Sequence, residues 1–386
     1  MGGENGGRAA AVRGARLSRS RSSRPMRERF EFRAARALSA LPPRAQLRLS
    51  GKPHVHVDGL RLDPEIQLSL AMLERQGAEG LDKLSVPEAR KVVQSSARLY
   101  GGPPIEVASV RDIQIDGAAG PLRARHYVPD EPGGPHPLLV YYHGGGFVVG
   151  DVDTHDAPCR LICRHAGVQV LSVDYRLAPE HPFPAAVDDA RAALRWASEH
   201  ASELGADPER VAVGGDSAGG NLAAVASQLA VHDGGPGASF QLLIYPVTDF
   251  TKVRPSRELF AEGFFLTAAE MDWFNSHYVG PSGADPADPR LSPLLVDDLS
   301  GLPPAFVVTA GFDPLRDEGE EYAQALREAG VPTALRRFPG LIHAFINSIG
   351  VSRVSRDAMI EIAGATRAML SVQGARVAIG AVARTP

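Results

Sequence analysis

Between residues 105 and 372 the chain alternates short apolar runs with longer amphipathic stretches. Segments 105–115 and 122–128 alternate apolar and polar positions, which predicts an antiparallel strand pair. Segments 138–142, 168–173, 210–214, 240–245, 305–309 and 333–338 are more continuously apolar, as strands covered on both faces are. Helical periodicity marks 155–166, 184–200, a stretch opening just after residue 217, 316–329 and 352–372. The part between 250 and 280 is irregular, with helical patches over 256–278. Buried strands separated by helices of this length predict an α/β chain with a mostly parallel, doubly wound sheet.

Two amphipathic helices are expected ahead of this region. The first opens with Asp63 as N-cap and Pro64 at the first helical position. The second opens with the capping box Ser85-Val-Pro-Glu88 and turns Val86, Val92, Val93 and Leu99 toward one side. Neither carries obvious chemistry, so both read as cap helices. The expected organisation is an Arg-rich and largely disordered leader over 1–50, cap helices over 51–104, and a catalytic domain over 105–371. That domain adds to the cap near 250–280, and 372–386 form a loose C-terminal tail.

Composition changes this picture mainly at the N-terminus. The chain has 386 residues, 44% hydrophobic and 22% charged, enough for a large core. Its net charge of −4 hides a division. Residues 1–50 hold 12 Arg and 3 Glu, a net of +9, and the remainder carries −13. The acidic body argues against nucleic acid as a partner. Residues 1–25, rich in Gly, Arg and Ser, have too little apolar surface to order themselves. Binding to nucleic acid or to an anionic surface is the other reading of that segment. Met26 is a second candidate start. No apolar run is long enough to span a membrane, and the N-terminus lacks the apolar core of a secretory signal. Cys159 and Cys163 stand i, i+4 on a helix, read as buried reduced thiols with no metal site. A cytoplasmic location follows as the expectation.

The most informative segment is Val211 to Gly220, an apolar strand running into Gly215-Asp-Ser217-Ala-Gly219 and then a helix. That is G-x-S-x-G in strand–turn–helix context, which puts Ser217 on a sharp turn at a helix N-terminus. Acyl transfer by serine also needs a base, a group that orients it, and donors for the oxyanion. His343 follows the last strand in a loop opened by Pro339-Gly340 and is the candidate base. Asp313 and Asp317 are the orienter candidates. Asp313 is preferred because it comes at the end of strand 305–309, with a plain helix cap as its other reading. The loop His143-Gly144-Gly145-Gly146-Phe147 offers backbone N–H groups from Gly144 and Gly145, with Ala218 as a further donor. His143 is read as ordering that loop. No Gly-Lys-Ser/Thr or G-x-G-x-x-G follows it, which disfavours nucleotide binding. Phe147, Phe264, Phe265 and Leu266 either line an acyl pocket or pack in the core.

With these motifs the chain resembles the hormone-sensitive lipase family of α/β-hydrolases (bacterial esterase family IV, GDSAG subgroup). The resemblance rests on His143-Gly-Gly-Gly146-Phe147, Asp174-Tyr-Arg-Leu-Ala-Pro-Glu180-His-Pro-Phe-Pro184 and Gly215-Asp-Ser217-Ala-Gly219-Gly-Asn221. Asp313-Pro-Leu-Arg-Asp317-Glu with His343-Ala-Phe345 completes it; Tyr245-Pro-Val-Thr-Asp249 and Ser292-Pro-Leu294 also fit. It covers roughly 60–370. It implies an eight-stranded sheet with a helical cap and hydrolysis of short- to medium-chain acyl esters without a cofactor or metal. By motif, Ser217 would be nucleophile, Asp313 orienter, His343 base, and Gly144, Gly145 and Ala218 oxyanion donors, with 174–184 a structural brace. Similar proteins often form dimers through the sheet edge. Amidase, deacetylase or acyltransferase activity could use the same triad. A non-catalytic binding protein on this scaffold would lack the histidine, which here stands in its full motif.

Overall fold

The computed structural model describes residues 15–16, 26–77 and 79–382. Three two-residue strands come first: β1 (Ala15–Arg16), β2 (His56–Val57) and β3 (Leu60–Arg61). Eight main strands follow: β4 (Ser109–Gly117), β5 (Gly120–Val128), β6 (His136–Tyr142), β7 (Gln169–Val173), β8 (Ala206–Asp216), β9 (Gln241–Ile244), β10 (Ala305–Phe312) and β11 (Thr333–Ile342). The main sheet runs β1-β4-β5-β7-β6-β8-β9-β10-β11. β4 and β5 form the expected hairpin, in register from Ser109 opposite Val128 to Gly117 opposite Gly120. β5 lies antiparallel to β7, and from β7 to β11 all pairs are parallel. β1 adds an antiparallel edge beyond the eight strands expected.

Successive strand residues feed opposite faces, and each face has its own core. Leu138, Val140 and Tyr142 of β6 pack with Leu222 and Ala223, while Leu139 and Tyr141 meet the other layer. That second layer holds Cys159 and Cys163, both free and buried. Burial pushes the Cys163 thiol up to about 12 and raises Cys159 as well.

The helices in chain order are α1 (Met26–Ser39), α2 (Pro43–Ser50), α3 (Pro64–Arg75), α4 (Val86–Tyr100), α5 (Asp156–Ala166), α6 (Ala185–His200), α7 (Ala218–His232), α8 (Pro255–Leu259), α9 (Ala268–Tyr278), α10 (Arg316–Glu328) and α11 (Arg353–Val382). The predicted caps of α3 and α4 are present. Asp63 Oδ1 accepts from the Glu65 N–H at 2.8 Å, and Ser85 N–H donates to Glu88 at 3.0 Å. Thr267 and Glu270 form a second capping box at α9.

Two expectations fail at the termini. Residues 26–50 of the supposed disordered leader form α1 and α2. Their Ala, Leu and Arg are good helix formers, and tertiary contacts hold them. Ser39 Oγ accepts from the Arg353 N–H at 3.2 Å, tying α1 to the start of α11, and Gln46 donates to the Ser39 carbonyl at 2.9 Å. Arg75 donates to Leu49 and Ser50 carbonyls, closing α2 onto α3. The expected loose tail instead continues α11 to Val382, since no Pro or αL glycine stops it. The disorder expected for 1–25 concerns residues outside those described, apart from the backbone of β1.

α1, α3, α4 and α9 contribute to the cap over the strand ends. Arg90 of α4 fastens it. Its guanidinium donates to the Val148 and Ala178 carbonyls, each at 2.9 Å, and to Glu180 at 2.7 and 2.8 Å. Val92, Val93 and Leu99 of α4 share one side as expected and line one cavity, with Val92 44% exposed at its edge. Among the described residues no helix is long and apolar enough to cross a membrane.

Candidate active site

β8 runs into Ser217, which adopts φ 54° and ψ −119° before α7 begins at Ala218. A non-glycine residue in that region costs on the order of 1–3 kcal/mol and persists only where its surroundings enforce it. Here the Ser217 N–H donates to the Ile244 carbonyl at 2.9 Å, and the Ser217 carbonyl accepts from Asn221 N–H at 3.0 Å. Asn221 Nδ2 in turn donates to the Val247 and Leu291 carbonyls. A Cβ on Gly219 would run into the Tyr142 carbonyl, and one on Gly215 into the Gly219 and Tyr142 carbonyls. These two positions must be glycine for the turn to close.

His343 follows β11 and presents Nε2 to Ser217 Oγ at 3.0 Å. Its Nδ1 donates to Asp313 Oδ2 at 2.8 Å. Asp313 is fully buried at the end of β10, and its other oxygen accepts from Leu315 N–H at 2.8 Å. The two readings of Asp313 therefore coexist, one oxygen serving the turn and the other the histidine. The helix begins at Arg316, later than Pro314 suggested. Asp317 is engaged elsewhere, accepting from Arg316 Nε and Ser256 N–H, each at 2.8 Å. Burial opposes its ionisation, but Arg316 and the Ser256 donors hold its carboxyl below the usual range.

The glycine loop requires a correction. The Gly144 N–H is not free: it donates to Asp216 Oδ1 at 3.0 Å inside the core. A donor committed to a buried carboxylate cannot also meet an oxyanion. Among the described residues the N–H groups of Gly145, Gly146 and Ala218 have no acceptor, and all three residues line the cavity beside Ser217. Gly145 and Gly146 sit at φ 120° and 59°.

Asp216 was only a motif letter in the sequence. In the structure Tyr141 Oη donates to its Oδ1 at 2.8 Å, and His155 Nε2 lies 3.3 Å from the same oxygen. Burial alone would raise its pKa; His155, Tyr141 and the Gly144 N–H outweigh that and hold it below the usual carboxylate range. A small side chain at the strand end, preceded by glycine, gives no hint of this anchoring role. His143 donates from Nδ1 to the Gly144 carbonyl at 2.8 Å and stacks on Tyr175, whose hydroxyl donates to the His143 carbonyl at 2.7 Å. Burial lowers its pKa to about 4, so the ring is neutral and braces the loop.

The cavity above Ser217 has a volume of about 1610 Å³. Ligand pockets usually span about 300–1,000 Å³, so it has room on both sides of a reacting carbonyl. Phe147 is buried and stacked on Tyr278 with ring centroids 3.9 Å apart, forming cavity floor and core at once. Phe264 packs edge-on against Phe260, Leu266 is nearly buried, and Phe265 is 54% exposed at the mouth. Among the described residues no group of three His, Cys, Asp or Glu could hold a metal ion.

This geometry has counterparts. A family model described as "alpha/beta hydrolase fold" matches residues 139–347. The carboxylic ester hydrolase LipN of Mycobacterium tuberculosis is 52% identical over 345 residues, covering 87% of this chain and 90% of that protein. An ethyl acetate hydrolase of Pseudomonas putida is 37% identical, covering 78% of this chain and 98% of that one. The solved structure of an ester hydrolase from the metagenome of Lake Arreo, complexed with a bipyridine phosphonate derivative, superposes with a TM-score of 0.77. It is 47% identical and covers 80% of this chain and 99% of that chain. With its strand order, its Gly215–Gly219 elbow and these matches, the chain belongs to the hormone-sensitive lipase family of α/β-hydrolases.

Proposed function

We propose that the protein is a serine carboxylesterase acting on short- to medium-chain acyl esters through Ser217, His343 and Asp313. The observation that carries this is the hydrogen-bonded series Asp313–His343–Ser217, at 2.8 and 3.0 Å, aimed into a large cavity. Neutral His343 accepts the Ser217 proton at Nε2 as Oγ attacks the ester carbonyl. Asp313 keeps the proton on Nδ1, so Nε2 is the free base, and stabilises the imidazolium that forms. The carbonyl oxygen, now negative, faces the N–H groups of Gly145, Gly146 and Ala218; a donor of this kind contributes roughly 3–4 kcal/mol. The C–O bond then breaks, His343 gives its proton to the leaving alkoxide, and Ser217 holds the acyl group. Water, deprotonated by His343, repeats the addition; the acid leaves and Ser217 regains its proton.

The names of the relatives support ester bonds as the target, and the apolar lining around Phe264, Leu266 and Phe274 supports an aliphatic acyl group. The decisive test is Ser217→Ala against p-nitrophenyl acetate, butyrate and octanoate. Activity should fall by at least about a thousandfold on all three. A phosphonate ester should label Ser217 stoichiometrically in the parent protein. Hydrolysis surviving in the alanine variant would overturn the assignment.

A further inference from the structure

The arginine-rich N-terminal region has no role in the chemistry above, yet α1 brings part of it to the cavity. Phe30 in α1, Val92 in α4 and Phe265 after α8 are 73%, 44% and 54% exposed, and all three line the cavity mouth. They are three of only seven large hydrophobic side chains so exposed among the described residues. Apolar groups gathered around one opening, rather than scattered, mark a surface that meets another apolar phase.

Arg29, Arg33 and Arg36 lie at i, i+4 and i+7 on α1, which puts them on one solvent-facing side. None forms an ion pair among the described residues. Arg44 and Arg48 of α2 are also exposed. Residues 26–50 hold six Arg and two Glu, a net of +4, against −13 for the chain after residue 50. An anionic surface would attract the face that α1 and α2 present and repel the body, so that the cavity mouth beside α1 faces it. Glu262 and Glu79 line the cavity as well and oppose this locally, while Glu74 is paired with Lys52.

We propose that this face, built from α1 with Phe30, Val92 and Phe265, docks on an anionic phospholipid surface and lets the cavity take its ester directly from the lipid phase. Arginines flanking a partly inserted aromatic ring are the composition of an interfacial helix. A nucleic acid would use the same arginines and could stack on an exposed ring, but it would not need the apolar groups gathered around the mouth of a deep cavity.

The test is co-sedimentation of the full-length protein with phosphatidylglycerol-containing vesicles and with pure phosphatidylcholine vesicles. Binding should appear only with the anionic vesicles and vanish near 1 M salt, where the Debye length is about 3 Å. Arg29→Gln, Arg33→Gln and Arg36→Gln combined should lower the partition coefficient about a hundredfold. That triple variant should keep its kcat/KM on a water-soluble butyrate but lose it on an ester carried in anionic vesicles. Phe30→Ser should weaken sedimentation as well. Absence of sedimentation at low salt, equal sedimentation of the triple variant, or tighter binding to duplex DNA than to vesicles would each overturn the proposal. Sedimentation does not depend on turnover, so its outcome is separate from that of the esterase assignment.

Discussion

Asp313→Asn isolates the orienting carboxylate, because the structure dictates how the new amide must lie. Asp313 is fully buried, with Oδ1 held by the Leu315 N–H at 2.8 Å and Oδ2 by His343 Nδ1 at 2.8 Å. An asparagine has one acceptor for two donors. If its oxygen faces His343, its NH2 faces the Leu315 N–H, and a buried donor left without a partner costs about 1–3 kcal/mol. If its oxygen keeps Leu315, its NH2 faces His343 and forces Nδ1 to accept. The ring proton then sits on Nε2, pointing at Ser217 Oγ, and the base is gone. Either way the carboxylate that stabilises the imidazolium is lost, worth about 1.5–3 kcal/mol as a charge-assisted bond. Together these come to roughly 2.5–6 kcal/mol, or about two to four orders of magnitude in kcat. KM should barely move, because Asp313 does not line the cavity. Steady-state kinetics on p-nitrophenyl butyrate, with circular dichroism to check folding, measure this. Asp317→Asn is the control: its partners are Arg316 and Ser256, so it should leave kcat near the parent value. A folded Asp313→Asn enzyme within about tenfold of parent kcat would refute the reasoning.

Asp216→Asn should destabilise the protein by about 2–5 kcal/mol in urea unfolding, since it removes a buried charge facing His155, Tyr141 and the Gly144 N–H. It should lower kcat more than it raises KM as the glycine loop loosens; an unchanged urea midpoint would count against the anchoring role. Stability should also fall with acid. Burial lowers the pKa of both His126 and His143 to about 4, below the ordinary histidine value near 6.5. Each therefore contributes stability that is fully present above pH ~6.5 and is lost as pH falls through ~4, up to about 3 kcal/mol per ring. Urea midpoints measured across that interval should decline, and His126→Gln should make the decline shallower; a flat profile would show that the rings are not held neutral by burial.

The elements that position the site were legible because each is local. Strand-length apolar runs, the glycines flanking Ser217 and the chain order Ser217, Asp313, His343 all reappear in the fold. What escaped was decided by tertiary geometry. Gly144, Gly145 and Gly146 are identical as letters, and only the backbone turn reveals that the first N–H is spent on Asp216. The helices α1 and α2 escaped because composition over 1–50 averages a Gly-rich stretch with helix-forming residues. Their order comes from partners far along the chain, Arg353 among them. The extension of α11 to Val382 escapes for a related reason: its sequence lacks a strong apolar stripe there.

One oxygen explains why the motif letters at 215–219 and 143–146 belong together. Asp216 Oδ1 receives the Gly144 N–H from the loop after β6, while its own residue precedes the strained Ser217 at the end of β8. The bond locks one strand end to its neighbour, and with Gly144 committed, the loop can present only Gly145 and Gly146 toward Ser217. Charge matters more than shape at this position. A neutral side chain could accept the same hydrogen bond, but it would not hold His155 and Tyr141 on the same atom in a dry core. The strain at Ser217 and the direction of the oxyanion donors thus share one support. A variant that weakens it should lose stability and transition-state binding together, whereas the loss of Asp313 should show chiefly in turnover.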